Sequence, residues 1–282
     1  MTPTILVPIA AQLPLDQLLD AALATARLID ADIRAIFIQP DPATALGYIA
    51  EMPLAGFSRE QIESGMAEIA ASAGDDFEAW RRRHGVAPTS REHRTGVSAS
   101  WSHHVGSIEA VVTRFGRLAD MIVIHRPTSD AVLARHCFEA AVFGTGRPTL
   151  VIDGPLPSGF GEHILIAWNG SLEASRALAG AMPLLERAHR VSILSAHDYD
   201  DEAVDLTDLA EALSDRGIHT PEVLFPLRGV SAGAQLAAAA KSQGASLIVM
   251  GAYTHSRLRE SVLGGVTRHL LAHAPVPLLM CH

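Results

Sequence analysis

The sequence predicts an α/β protein made of two tandem five-stranded parallel-sheet domains, each with strand order 3-2-1-4-5. Three observations predict it: the chain repeats itself, short apolar runs alternate with helical patterns, and a segment rich in proline and glycine divides the halves. "TILVPI" (4–9) resembles "HILIAW" (163–168), and "ADIRAIFI" (31–38) resembles "HRVSILSA" (189–196). "TGVSAS" (95–100) matches "RGVSAG" (228–233), "ADMIVI" (119–124) matches "ASLIVM" (245–250), and "RPTLVI" (147–152) matches "VPLLMC" (276–281). Matches in a constant order are the signature of a duplicated unit. The chain of 282 residues is long enough for two domains. The segment "DGPLPSGFGE" (153–162) has linker chemistry, so the domains are placed at 1–153 and 162–282.

In the second half, 164–168 is short, apolar and strand-like. From Ser171 to Ala188, residues Ala174, Leu178, Ala181 and Leu185 recur at helical spacing. Strand 191–196 follows, then a helix over 201–216 ended by Gly217. Next come a strand from Glu222 to Leu227 and a helix capped by Ser231 and closed by Gly244. Strand 247–250, a glycine-bearing segment, a helix from Val266 to Ala272 and strand 277–281 complete the unit. Continuous apolar strands alternating with helices imply a parallel sheet covered on both faces. The first half has additional residues between its second and third strands, including "ALGYIAEMPLAGFSREQIESGMAEI", read as extra helix or a lid over a different ligand.

Composition narrows the function. A net charge of −9 and a pI near 5.8 give no electrostatic footprint for nucleic acid or an anionic membrane. Cys137 and Cys281 are too few for a disulfide framework or thiolate metal site and fit a reducing compartment. The start "MTPTILVPIAAQLPLD" lacks a basic stretch, and Pro8 and Pro14 interrupt its apolar run, so it does not read as a secretory signal. The expectation is a soluble, cytoplasmic protein.

The stretch "MGAYTHSRLRESVLGGVT" (250–267) places Gly251 directly after a strand and Gly264–Gly265 directly before a helix. Two readings compete. The glycines can simply turn the chain, or they can let backbone amides at a helix N-terminus approach a phosphate. Thr254, Ser256 and Thr267 add hydroxyl donors to the segment, and His255, Arg257, Arg259 and Arg268 add local positive charge. No G-x-x-x-x-G-K-S/T or G-x-G-x-x-G follows a strand. At the end of the half's first strand, "AWNGSLEAS" (167–175) sends Asn169 out beside Gly170 and Ser171, next to Gly251 in the expected strand order. Ligands in such sheets sit beyond the carboxyl ends of the strands where the order reverses.

On these residues the second half resembles a universal stress protein domain, whose nucleotide-binding members carry G-x2-G-x9-G-S/T after the fourth strand. Here the positions read Gly251, Thr254, Gly264 and Gly265: the spacing is kept, but the second glycine is a threonine and the hydroxyl residue a glycine. The following "HSRLRESVLGGVTRHLLAHAPVPLLMCH" is also similar to the family. The resemblance spans the chain as a tandem pair, more closely in the second half, and implies an adenine-nucleotide alpha-hydrolase-like fold. It implies ATP or AMP as ligand, with magnesium accompanying ATP. It also implies that Asn169 replaces a ribose-binding aspartate, that Ala167 and Ala196 wall the adenine, and that Met250, Gly251, Gly264, Gly265 and Val266 follow the path from adenine to phosphates. A final strand that pairs across a homodimer, pairing of the two domains within the chain, and a role as stress-response regulator or sensor are implied as well. Asparagine is a neutral acceptor where the family has a carboxylate, which weakens the ribose contact.

The first half departs further. His125 in "VIHRPTSD" stands at the place of Gly251, and Gly144 and Gly146 lie too close to the last strand to replace Gly264, so no nucleotide is expected there. His103 and His104 in "WSHHVGS", with His125 and His136, have no zinc-helix spacing and read as capping or surface histidines. Cys137 in "RHCFEAAVF" reads as a buried small residue rather than an activated thiol, and "DYDDEAVD" (198–205) as a solvated charge run. With no aspartate that has an evident partner histidine at an interpretable spacing, the sequence favours binding over catalysis, with at most slow ATP hydrolysis. The alternative is a nucleotide-free protective or interaction protein holding a small apolar ligand.

Overall fold

The computed structural model describes residues 2–10, 14–41, 59–89, 96–127, 132–195, 206–220, 223–224, 231–252 and 265–282. Two compact units divide the chain, Met1–Thr145 and Gly146–His282.

In the first unit, β1 (Thr4–Ala10), α1 (Leu15–Ile29) and β2 (Asp32–Gln39) form the opening β–α–β step. They are followed by α2 (Arg59–Arg83), β3 (Ala87–Pro88), β4 (Ser98–Val105), α3 (Ile108–Gly116), β5 (Met121–His125) and α4 (Val132–Gly144). The strands are parallel in the order β3-β4-β2-β1-β5. This is the expected 3-2-1-4 succession with the short β3 added beside β4. The middle strands are apolar because both their faces are covered: Ile5, Leu6, Val7, Ile122 and Val123 are fully buried. Helix α1 turns Leu18, Leu19, Ala22 and Ala26 inward at helical spacing. The predicted extra helix is α2 from Arg59 onward, while residues 42–58 of the insertion lie outside the described residues. Helix α2 is fastened to α1 by Trp80, whose Nε1–H donates to Asp20 Oδ1 at 2.8 Å.

The second unit opens with β6 (Thr149–Ile152), β7 (His163–Trp168), α5 (Leu172–Leu185) and β8 (Arg190–Ser195). Then come α6 (Leu206–Ser214), β9 (Val223–Leu224), α7 (Ala232–Gln243), β10 (Leu247–Gly251), α8 (Gly265–His273) and β11 (Leu278–Cys281). Read from β9, the parallel order β9-β8-β7-β10-β11 is the predicted 3-2-1-4-5. The caps of α7 fall where the sequence placed them, with Ser231 Oγ accepting the Ala234 N–H and Gly244 closing the helix at φ 66°; Ser171 Oγ caps α5 in the same way by accepting the Ala174 N–H.

Three sequence expectations are corrected. The units divide between Thr145 and Gly146, ahead of β6, and not in the linker 153–162. The reason is contact: β6 runs antiparallel to β11, with Leu150 opposite Leu279 and Val151 opposite Leu278, and all its residues are buried. A fifth parallel strand of the first domain was expected there. The match of "TGVSAS" with "RGVSAG" also fails, since residues 98–100 lie in β4 whereas Ser231 caps a helix. The true counterpart of Ser231 is Ser107, which caps α3 by accepting the Ala110 N–H. Finally, His103 and His104 sit on β4, so their rings project to opposite faces of a sheet.

Candidate functional site

Parallel pairing brings the ends of β7 and β10 together, with Ala167 opposite Met250 and Ile166 opposite Val249. Beyond those ends lie "NGS" (169–171), Ala252 and the start of α8. Ala167 is half-buried and Met250 buried at 4% exposure, so a small side chain and a thioether line the base of the crevice. Trp168 projects to the other face, where it is buried, and its Nε1 has no hydrogen-bond partner among the described residues.

Asn169 organises the first turn of α5. Its Oδ1 accepts from Ser171 N–H at 3.3 Å and from Ser171 Oγ–H at 2.8 Å, while Ser171 Oγ in turn accepts the Ala174 N–H at 3.1 Å. Gly170 makes this turn possible at φ 69°, a conformation that residues with a side chain rarely adopt. The position that the resemblance assigned to ribose therefore has its carbonyl oxygen committed to a helix cap, a role the spacing alone did not reveal.

The glycines divide between the two competing readings. Gly251 is a packing glycine: a Cβ there would lie 2.6 Å from Ala174 N and 2.9 Å from the Glu173 carbonyl carbon. The end of β10 thus presses on the first turn of α5, and no larger residue fits. Gly265 is different. It is exposed, has an ordinary negative φ, and a Cβ built on it would meet nothing within 4 Å. It begins α8, and no hydrogen bond from the N–H of Gly265, Val266 or Thr267 is found among the described residues. That helix end presents donors and the positive end of the dipole to solvent. Val266 is half-buried and Thr267 buried, so their side chains anchor the helix while Gly265 leaves its mouth bare. Ala196, Thr254 and Gly264 lie outside the described residues, as do Ser256, the basic residues 255–259 and the acidic run 198–205.

Two contacts that sequence reasoning missed close the far side. Ala252 N–H donates to Cys281 O at 2.8 Å, and His282 Nδ1 lies 2.9 Å from Ala252 O. Both follow from the register of β10 on β11, which sequence spacing does not encode. Burial raises the Cys281 thiol above its ordinary pKa and leaves it uncharged.

In the first unit the equivalent position is filled. His125 is buried and its Nε2 lies 3.0 Å from Pro14 O, at the entry to α1. An imidazole tied to the neighbouring loop occupies the place that Gly251 leaves to a helix backbone in the second unit. Cys137 is fully buried, and burial, reinforced by the charge of Glu109, pushes its thiol up to about 12. Its basic neighbours do not activate it. Among the described residues there is no group of three or more His, Cys, Asp or Glu that could hold a metal ion, and no helix is long and apolar enough to cross a membrane.

Comparison with known proteins agrees with the fold. Residues 161–282 match the Universal stress protein family. Among solved structures, a universal stress protein from Archaeoglobus fulgidus DSM 4304 superposes with a TM-score of 0.71 at 16% identity, covering 99% of this chain and 97% of that one. A putative universal stress protein from Pseudomonas aeruginosa UCBPP-PA14 superposes with a TM-score of 0.56 at 15% identity, covering 99% of this chain and 92% of that one. None of the curated proteins matches the chain in sequence. The parallel order β9-β8-β7-β10-β11 thus lies within the segment, residues 161–282, that matches the Universal stress protein family, and the solved structures share the fold of the chain.

Proposed function

We propose that the second unit binds an adenine nucleotide, ATP or AMP, in the crevice between β7, β10 and the start of α8, and that the chain acts as a stress-response regulator or sensor. The observation that carries this reading is the start of α8. Three backbone N–H groups at a helix N-terminus, the first on a residue without a side chain, form a site suited to a phosphoryl group. Ala167 and Met250 supply the apolar base for adenine, and Asn169 stands at the ribose position. With ATP, magnesium would accompany the phosphates.

Thermal unfolding with ATP, ADP and AMP tests the reading. A ligand that binds only the native state raises the melting temperature, by the equivalent of about 2.7 kcal/mol at a hundredfold excess over Kd. Gly265→Leu is expected to remove the shift while leaving the unliganded melting temperature nearly unchanged. No shift at millimolar nucleotide would overturn the proposal.

A second reading has one observation in its favour. Between α5 and α6 lies an apolar groove of about 230 Å³ lined by Leu178, Ala179, Met182, Leu209 and Leu213. It suits a small apolar ligand in a nucleotide-free protective protein. Mass spectrometry of whatever co-purifies with the native chain separates the two.

A further inference from the structure

The outer strands of the first unit carry a basic cluster that neither the fold nor the crevice uses. Along β2 and β4, Arg34 stands opposite Ser100 and Ile36 opposite Ser102. Strand alternation then puts Arg34, Ser100, Ser102 and His104 on one face of the sheet. Helix α3 reaches over that face with Arg114 and Phe115. The Arg34 guanidinium lies 5.0 Å from the Phe115 ring centroid, that of Arg114 5.2 Å, and the His104 ring 4.5 Å. Phe115 is buried, Arg34, Ser100, Ser102 and His104 are half-buried, and Arg114 is exposed. His104 is held by Ser102, whose Oγ lies 3.2 Å from its Nε2.

Contact with a ring face engages the π surface of a guanidinium and leaves its in-plane N–H donors available. Neither arginine has a carboxylate partner among the described residues. The acids that share these elements are committed elsewhere: Asp32 Oδ1 accepts from the N–H and the hydroxyl of Ser98, Glu109 is bonded to His136, and Asp120 Oδ2 accepts the Thr4 N–H. Burial, then Arg114, Arg34 and His103, lowers the His104 pKa below its ordinary value, as expected where positive charges gather without a counter-charge. This happens in a chain of net charge −9.

The other repeat shows that the fold does not require the cluster. Aligning "ADIRAIFI" with "HRVSILSA" puts Ser192 at the place of Arg34, and Ser192 is fully buried with its Oγ 3.0 Å from His163 Nε2. The covering helix there, α7, has 12 residues where α3 has 9, a difference of about 4.5 Å in reach. Under the shorter α3, Arg34 and Ser100 stay half-buried, whereas Ser192 is fully buried.

We infer that this face of the first unit is a binding site for a small doubly charged oxyanion, a phosphoryl group carried as inorganic phosphate or as a phosphate monoester, held by the guanidiniums of Arg34 and Arg114 beside the Ser100 hydroxyl. Two planar donor groups are suited to bidentate hold on a tetrahedral dianion. The site is independent of the nucleotide crevice.

The test is NMR of the arginine Nε–H groups in the full ¹⁵N-labelled chain, titrated separately with inorganic phosphate and with glycerol phosphate at fixed ionic strength. Saturable shifts of Arg34 and Arg114 are expected, and the tighter of the two ligands identifies the source of the phosphoryl group. Arg34→Ser, which installs the residue of the other repeat, and Arg114→Gln, at an exposed helix position, are each expected to weaken binding about tenfold or more. Gly265→Leu should leave this binding unchanged. Equal shifts with chloride, shifts that never saturate, or variants that bind as well as the parent chain would overturn the inference.

Discussion

Gly251 meets the backbone of Ala174 so closely that a single added carbon would stand 2.6 Å from the Ala174 nitrogen. Because the obstacle is main chain at the capped first turn of α5, neither side can yield cheaply. Gly251→Ala is therefore expected to destabilise the protein by about 1–3 kcal/mol, the range for forcing a methyl group into a packed site. Urea unfolding without any ligand would measure it. An unchanged midpoint would show that the end of β10 moves freely.

Gly265→Ala should behave in the opposite way. Nothing crowds its Cβ, and alanine favours the helix over glycine by up to about 1 kcal/mol. The unliganded protein is expected to melt at the same temperature or slightly higher. The stabilisation by nucleotide should shrink, and paired thermal scans with and without AMP would separate the two effects.

Ser171→Ala removes the cap of α5 and also one donor to Asn169 Oδ1. A loss of about 1 kcal/mol is expected in chemical denaturation. Nucleotide affinity should not rise unless the freed Asn169 oxygen turns to the ribose, which calorimetric titration of the variant would reveal.

His104 supplies a pH dependence of known sign. Its pKa in the fold lies below the ordinary 6.5, chiefly through burial, with Arg114 and Arg34 adding repulsion. The unfolded chain consequently binds more protons as pH falls below 6.5, and stability is lost as pH drops through the lowered folded value. Replacing His104 by Gln should flatten the stability profile below pH 6.5. A profile that keeps its slope in the variant would assign the effect to another histidine.

Cys137, raised to about 12 by burial, should resist thiol reagents at pH 8 for as long as the protein is folded. Labelling kinetics with a chromogenic disulfide would follow global unfolding; prompt labelling of this residue would mean that α4 opens on its own.

The sequence disclosed the sheet order because strands buried on both faces must be apolar throughout, and because Ser171, Ser231, Gly217 and Gly244 mark helix ends by local chemistry. It misled where local chemistry is shared by different structures. The string "GVS" precedes a helix at Ser231 but runs into β4 at Ser98, and only the cap made by Ser107 shows the correct equivalence. The two glycine roles were likewise indistinguishable: both lie between a strand and a helix, and only the contact of Gly251 with Ala174 separates a packing requirement from an open helix mouth. The second function of Asn169, as acceptor for Ser171, depends on a turn geometry that the dipeptide Asn169–Gly170 permits without dictating.

The antiparallel seam between β6 and β11 has a consequence for how such a chain can be handled. The segment "LLMC" is an apolar border whose amides and carbonyls would, if left unpaired, recruit any passing extended peptide, and "TLVI", at the start of the same unit, seals it. Cutting the chain after Ile152 would strip off that guard, and the liberated fragment is expected to aggregate through the bared border.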